Sequence, residues 1–282
     1  MFPPSEFMIR PMSKPIPALV AMAFGAACLF AAPAARADDA DRALLSTFCD
    51  TANIKGSACK RAKGYPNAGN RGCDVKLTAD RHRGRFIASG NPLLVVNYES
   101  GCEAHATDNG GAVVFEQSGG KFIFRGFQPG SQVNDCVTLP RDERQDYLVC
   151  LTGHMGQGNL ESGVAQFVFT QDYGKAVSIS PDFLLTAEDS SAAHGANVVT
   201  CKERQTYFEL SDIKPGPRPQ TVSVKASHAD AETITTACGK GFPKPREVFG
   251  ELSPGDAYVP DGYEKHGEFV IDLVTRKVEP KN

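Results

Sequence analysis

The sequence of 282 residues contains no tryptophan, and only 9% of its residues are aromatic. Broad aromatic faces are the usual platforms for stacking against sugar rings, so this absence disfavours a carbohydrate-cleaving cleft or a carbohydrate-binding module. The sequence also lacks C-x-x-C, H-E-x-x-H and G-x-S-x-G. Common zinc sites and the nucleophile elbow of many serine hydrolases depend on those spacings. We therefore expect no cofactor and no metal, and no motif marks a catalytic residue.

Beyond residue 37 no apolar run approaches the roughly 20 residues that a membrane helix requires. Before that point, Arg10 and Lys14 precede an almost uncharged apolar stretch at 16–32, and Ala35–Ala37 offers the small residues at which a signal peptidase cleaves. We predict a signal peptide over residues 1–37, cleaved after Ala37, and a periplasmic or secreted protein without a transmembrane segment. Removal of the signal peptide takes away three basic residues and one acidic residue, which changes the formal net charge from −3 to −5.

The leader also contains a feature of the alternative export route. Gly25–Cys28 resembles a degenerate lipobox, which would make the protein a lipoprotein anchored at Cys28. Position 25 lacks the usual large aliphatic residue, however, and the apolar stretch continues through Leu29 and Phe30. Soluble export is therefore the preferred prediction.

Cysteine usage agrees with export, because the eight cysteines after the predicted cleavage site could form four disulfides in an oxidising compartment. These disulfide candidates are Cys49, Cys59, Cys73, Cys102, Cys136, Cys150, Cys201 and Cys238. Eight cysteines permit on the order of 100 pairings, so the sequence alone does not fix the connectivity.

Local sequence nevertheless suggests some of the pairs. Cys136 and Cys150 belong to two apolar runs around a polar turn, so a hairpin would place them opposite each other. Proximity along the chain suggests Cys49–Cys59 and Cys201–Cys238 as further pairs.

After Val75 the chain consists of short β-rich runs separated by turn signals such as Gly119-Gly120. This pattern predicts an all-β, disulfide-stapled fold of short antiparallel strands, either propeller-like or a sandwich or barrel. The candidate strands are Arg85–Ser89, Leu93–Tyr98, Ala112–Glu116, Lys121–Phe127, Tyr147–Thr152, Val164–Thr170, Ala176–Ile179, Val198–Cys201, Thr206–Leu210, Thr221–Lys225 and Glu268–Val274.

The segment before the strands differs in pattern. Leu44, Leu45, Phe48 and Cys49 recur at helical spacing after Asp39, which predicts one short helix over Ala40–Cys49 with Asp39 as its N-cap. The stretch that follows, Lys55–Asn70, shows no periodicity and predicts a loop tied down by disulfides. The predicted organisation is a signal peptide (1–37), an N-terminal helix and basic loop (38–84) and a β-rich domain (85–282), the last two forming one globular unit.

A possible internal repeat has a period of 54 residues. Leu94–Val96 and Leu148–Cys150 are similar and 54 residues apart, as are Gly120-Lys121 and Gly174-Lys175. A degenerate third unit would begin near Val199. Such a period is close to that of propeller blades. The alternative is that any two β-hairpins share an apolar strand and a Gly-Lys turn.

The segment Asp142–Val149 resembles an FG-GAP or VCBS-type repeat of secreted β-propellers, in which an acidic loop precedes an apolar strand and can hold calcium. Asp142 and Asp146 match the outer acids of that loop, and Leu148-Val149 match its strand. The resemblance implies a propeller blade. The middle acids and the glycine of the family loop are replaced by 143–145, so the calcium site is not carried over.

Basic residues are concentrated in residues 55–85, which contain nine basic and two acidic residues. The basic residues are Lys55, Lys60, Arg61, Lys63, Arg71, Lys76, Arg81, Arg83 and Arg85. One hypothesis is that they bind anionic envelope components such as lipid headgroups or cell-wall polymers. The simpler alternative is that they pack across the acidic remainder of the chain or are solvated. Export, overall acidity and the lack of interleaved aromatics argue against nucleic acid.

The sequence therefore predicts an exported, disulfide-stabilised, β-rich protein that acts as a non-catalytic binding or structural module of the cell envelope. The alternative is a periplasmic or secreted hydrolase whose carboxylate or serine site is assembled only by folding. A pocket with converging acids would favour the hydrolase.

Overall fold

Three antiparallel sheets, consecutive along the chain, contain most of the residues that the structure describes. The structure is a computed structural model, and it describes residues 37–66, 72–88, 90–100, 102, 110–156, 159–172, 176–189, 206–239 and 265–281. Each strand pairs with its neighbours in sequence, so every sheet is a meander. The prediction of an all-β fold with disulfides is confirmed.

The first sheet has six strands and the other two have four each. The strands of the first sheet are β1 (Ile54–Lys55), β2 (Ala58–Ala62), β3 (Cys73–Gly84), β4 (Leu93–Ser100), β5 (Gly110–Ser118) and β6 (Lys121–Pro129). The second sheet contains β7 (Asn134–Pro140), β8 (Asp146–Gly156), β9 (Asn159–Gln171) and β10 (Val177–Asp189). The third contains β11 (Tyr207–Pro215), β12 (Thr221–Ala229), β13 (Lys265–Asp272) and β14 (Val278–Pro280).

The 54-residue similarity falls at equivalent places in two meanders. Leu94–Val96 lies in β4 and Leu148–Cys150 in β8, the second strands of the meanders β3–β6 and β7–β10. Gly120-Lys121 closes the β5–β6 hairpin, whereas Gly174-Lys175 and the proposed start near Val199 lie outside the described residues. The first strands β3 and β7 are in contact, as are β7 and β11, and the last strands β6 and β10 also touch.

The three sheets enclose two cores, and a third core covers the outer side of the first sheet. The second sheet contributes Leu148 and Cys150 to the core shared with the first sheet, and Tyr147 and Val149 to the core shared with the third. Because both faces of β8 are covered, Tyr147–Cys150 is an unbroken buried run instead of an alternating one.

The remaining core contains the N-terminal helix. Leu44 and Leu45 at the end of α1 (Ala37–Leu45) pack with Phe48, Phe115 and Phe127 against the first sheet. The helix therefore begins and ends earlier than predicted, and Asp39 lies inside it instead of capping it. A turn replaces the predicted last helical residues up to Cys49, although Phe48 and Cys49 are buried as expected from their spacing.

Four further expectations are wrong. The predicted loop Lys55–Asn70 contains the end of β1 and all of β2, and residues 73–84 at the end of the predicted basic loop form β3. The predicted strand Arg85–Ser89 is not one, because β3 ends at Gly84 and the described residues 85–88 turn away from it. A second helix, α2 (Ala231–Gly239), was not predicted, and Asp230 caps it by accepting the Thr233 N–H at 2.7 Å. The predicted strand Val198–Cys201 lies outside the described residues.

Candidate functional site

Within the part of the chain that the structure describes, three disulfides join neighbouring segments of the first two sheets. Cys49–Cys59 ties the turn after α1 to β2, and Cys136–Cys150 links paired positions of β7 and β8. Both agree with the pairs suggested by the sequence. Cys73–Cys102, which the sequence did not assign, joins β3 to the residue just beyond β4. The suggested pair Cys201–Cys238 lies outside what the structure describes.

The predicted basic segment does not form one continuous patch. At the far end of β3, Arg81 pairs with Asp41 of α1, and the Arg85 Nη1 donates to the Glu143 carbonyl at 2.6 Å. These two arginines hold the first sheet to its neighbours. Arg71 lies outside the described residues.

Apart from Arg83, the other described basic residues of this segment lie nearer the edge of the first sheet that β1 forms. Lys63 pairs with Asp50 at 2.6 Å and Lys76 with Glu99 at 3.0 Å, both on the surface. Lys55, Lys60, Arg61 and Arg83 make no ion pair within the described part of the chain. The unneutralised charge is therefore concentrated on β1 and β2.

An open groove of about 760 Å³ lies at this end of the first sheet. It exists because the second sheet covers only part of the sheet face: Leu93 and Val95 of β4 lie in the shared core, whereas Glu99 further along the same face lines the groove. The polar and small residues that line it include Ala58, Lys60, Asp74, Lys76, Glu99 and Gln132.

The strand register fixes the arrangement of charges across the groove. Lys55, Ala58, Lys76 and Glu99 are consecutive cross-strand partners on β1 to β4. The small Ala58 leaves a space between Lys55 and Lys76, which are two strand spacings, or roughly 10 Å, apart. Lys60, two residues further along β2, is a diagonal neighbour of Lys55. Lys55 and Lys60 thus border this space without an acidic partner among the described residues.

A β-bulge in β2 adds a further cation beside Lys60. The register of β2 against β3 breaks between Cys59 and Ala62, and Arg61 takes a left-handed backbone conformation with φ 58°. That conformation costs a residue other than glycine about 1–2 kcal/mol. The Arg61 N–H donates to the Asp74 Oδ1 at 3.1 Å, which holds the bulge in place.

The opposite wall of the groove is fixed by a buried amide. Asn97 on β4 accepts the Val133 N–H at 2.8 Å and donates to the Val133 carbonyl at 3.2 Å. The His82 Nε2 lies 3.1 Å from the same carbonyl, and burial lowers the pKa of His82 although this hydrogen bond opposes the shift. These contacts hold the β6–β7 connection across the sheet and place Gln132 at the groove.

The acidic loop that carries the FG-GAP resemblance is satisfied by protein donors. Asp142 accepts the Arg144 and Gln145 N–H groups at 2.7 and 2.8 Å, and these bonds lower its pKa. Asp146 accepts the Arg85 N–H at 2.6 Å. Within the described ranges, no three His, Cys, Asp or Glu side chains are grouped as metal ligands.

A serine or carboxylate catalytic site can be examined at the same groove. Ser100 Oγ lies 2.9 Å from the Cys73 Sγ and accepts the Cys102 N–H, so its contacts are structural. Asp74 and Glu99 both line the groove. However, Asp74 accepts a backbone N–H, and Glu99 is more than half exposed and paired with Lys76. A general acid needs an apolar, shielded carboxyl group, which neither residue provides.

Sequence reasoning missed one buried charged cluster. Glu116 on β5 accepts hydrogen bonds from Asn91 at 2.6 Å and from the Arg125 Nε at 2.7 Å. The bond from Asn91, ahead of the interactions with Arg125, lowers the pKa of Glu116. In the sequence, Glu116 and Arg125 are an acidic and a basic residue on opposite sides of the Gly119-Gly120 turn. Nothing in the sequence distinguished them from surface residues.

No family model, characterised protein or solved structure matches this chain. Among the described residues, the helices are too short or too polar to cross a bilayer. The fold and its disulfides therefore define the class, a disulfide-stapled all-β protein of three meanders.

Proposed function

We propose that the protein is an exported, non-catalytic binding module of the cell envelope that holds anionic groups at the groove of the first sheet. The observation that carries this proposal is a pair of lysines without acidic partners among the described residues: Lys60 lines an open polar groove, and Lys55 is the cross-strand partner of the groove residue Ala58. Cations that do not stabilise the fold through ion pairs are available for a ligand. The three disulfides fit an oxidising compartment.

Binding to lipid vesicles tests this function. The protein should sediment with vesicles of phosphatidylcholine containing phosphatidylglycerol, and not with pure phosphatidylcholine. Raising the salt from about 20 to about 200 mM should release it, because ions screen exposed charges. A protein that is not retained at low salt, or that binds both vesicles equally, would contradict the proposal.

A matched pair of variants localises the site. Lys55→Gln/Lys60→Gln removes two charges at β1 and β2, whereas Lys121→Gln/Lys277→Gln removes two exposed charges that do not line the groove. Only the first variant should lose affinity. Equal loss in both would mean that overall charge, and not the groove, governs binding.

Export is tested by peptide mapping of the purified protein. The N-terminal peptide should begin at Asp38, and disulfide-linked peptides should include Cys201 joined to Cys238. An N-terminus at a lipidated Cys28 would replace soluble export by a lipoprotein, and an intact leader with free thiols would overturn export.

The second candidate is a hydrolase, which is favoured by the presence of Asp74 and Glu99 in one groove. The variant Asp74→Asn/Glu99→Gln separates the two functions. In a binding module it should bind anionic vesicles more tightly, because two repelling charges are gone. In a hydrolase it should lose turnover of the substrate without such a gain.

A further inference from the structure

The bulge of β2 turns two consecutive cations toward solvent. In a regular strand, neighbouring side chains point to opposite faces, so exposed Lys60 would be followed by an inward residue. Here Lys60 and Arg61 are both exposed, and the return to the core is delayed to Ala62, which is fully buried. Bulges often re-aim a side chain at a functional position.

The bulge holds Arg61 in a conformation that arginine does not favour. Its φ is 58°, and a Cβ on the facing Gly72 would lie 2.9 Å from the Arg61 backbone. A glycine at position 61 would suit this backbone better. The Arg61 guanidinium makes no hydrogen bond or ion pair within the described residues, so no contact of the fold explains why arginine is present.

Two lysines lie beside Arg61 in the strand register. Lys60 precedes Arg61 along β2. Lys55 on β1 is the diagonal neighbour of Lys60, about 7–8 Å away. The planar fork of arginine matches the oxygens of a phosphate, and lysine ammonium groups add point charges. Asp74 and Glu99 line the same groove and would repel a densely charged polymer.

We propose that Lys55, Lys60 and Arg61 form a phosphate-binding subsite at the β2 bulge, which selects ligands with an isolated phosphate group. This inference rests on the proposed function and names the chemistry that the groove recognises. The phosphate could belong to a lipid headgroup or to a soluble phosphate ester, and the binding experiment distinguishes these sources.

The variant Arg61→Gly tests the subsite, because it removes the guanidinium while relieving the backbone. Its midpoint in urea should equal or exceed that of the wild-type protein. Its affinity for phosphatidylglycerol vesicles should fall about tenfold, the effect of losing one charge-assisted contact. Lys63→Gln, which removes a neighbouring cation already paired with Asp50, is the control and should retain affinity.

Competitors then define the ligand. Inorganic phosphate and glycerol 3-phosphate should displace the protein from vesicles, and polyphosphate should compete no better per phosphate group. If glycerol 3-phosphate binds directly in calorimetry, the soluble ester suffices. If neither soluble competitor displaces the protein although Arg61→Gly weakens vesicle binding, the phosphate is recognised in the lipid headgroup.

Three results would overturn the subsite. If Arg61→Gly binds like the wild-type protein while Lys55→Gln/Lys60→Gln does not, the inference fails and the proposed function stands. If polyphosphate competes far better per phosphate, the groove does not select isolated groups. If the wild-type protein binds no anionic vesicle and no phosphate ester, both proposals fail together.

Discussion

Individual buried polar residues in this protein connect elements that are far apart in sequence. Glu116 gathers Asn91 and Arg125 around one carboxylate, and Asn97 holds Val133 by both of its backbone groups. A buried polar group without its partner is costly, so such residues affect stability more than the numerous surface ion pairs do.

Replacing Glu116 by glutamine should destabilise the protein by about 3 kcal/mol, because a neutral amide replaces the largely buried carboxylate that pairs with Arg125. Urea unfolding followed by far-UV circular dichroism measures the loss. The control is Glu99→Gln, which breaks the exposed pair with Lys76 and should cost less than about 1 kcal/mol. Similar losses in both variants would show that the Glu116 cluster contributes no more than a surface pair.

His82 should make stability depend on pH below neutrality. Its pKa is lowered in the folded protein, so the unfolded chain binds the proton more readily. The contribution of His82 to stability should therefore be fully present above the ordinary histidine pKa of about 6.5 and decrease as the pH falls below it.

The variant His82→Gln measures this contribution, because the amide can still donate to Val133. The free energy of unfolding of this variant should fall less on acidification than that of the wild-type protein. If the free energy of unfolding of His82→Gln falls on acidification as steeply as that of the wild-type protein, other groups cause the pH dependence.

At the scale of elements, the sequence predicted strands well where apolar runs are bounded by clear turns. Leu93–Tyr98 and Lys121–Phe127 lie within observed strands, since their β-branched and aromatic residues are flanked by turn residues. The sequence predicted β3 poorly, because the alternation of Cys73, Val75 and Leu77 is short and the rest of the strand, residues 78–84, is mostly polar and does not alternate. It also missed α2, where the β-branched run Thr233–Thr236 lowers the helix propensity.

The start of β5 depends on two glycines that allow close approach of neighbouring strands. A Cβ at Gly110 would lie 1.9 Å from the Tyr98 carbonyl oxygen, and one at Gly111 would lie 2.2 Å from that of Gln128. Gly111→Ala should therefore destabilise the protein by about 2 kcal/mol or more through overpacking. Gly239→Ala, where a Cβ meets nothing within 4 Å, should be close to neutral. Thermal unfolding of both variants checks this, and equal melting temperatures would contradict the tight packing.

At the scale of the whole molecule, the groove exists because the second sheet covers only part of the face of the first sheet. No local pattern in the sequence encodes how far that cover extends. Val95 is covered by the second sheet and Glu99 is not, although both lie on the same face of β4. The sequence indicated the basic segment that borders the groove. It could not indicate the groove itself, because its extent depends on where a strand distant in sequence stops covering the sheet.

Because the second sheet shares a core with each of its neighbours, the three sheets should unfold together. Calorimetric and van't Hoff enthalpies should therefore agree. Leu148→Ala, at a fully buried position between the first two sheets, should cost about 2–5 kcal/mol and lower the melting temperature of one transition. Two separated transitions in this variant would show that the sheets are independent units.

The three described cross-links span only 10, 29 and 14 positions along the chain, and none of them links one sheet to another. A polypeptide threaded through a translocation pore from its N-terminus could therefore oxidise each pair as it emerges, before later strands arrive. Folding would proceed in the order of delivery, with few opportunities for mispaired sulfur atoms. If the chain is exported as we propose, trapping free thiols at successive times during secretion should reveal that order.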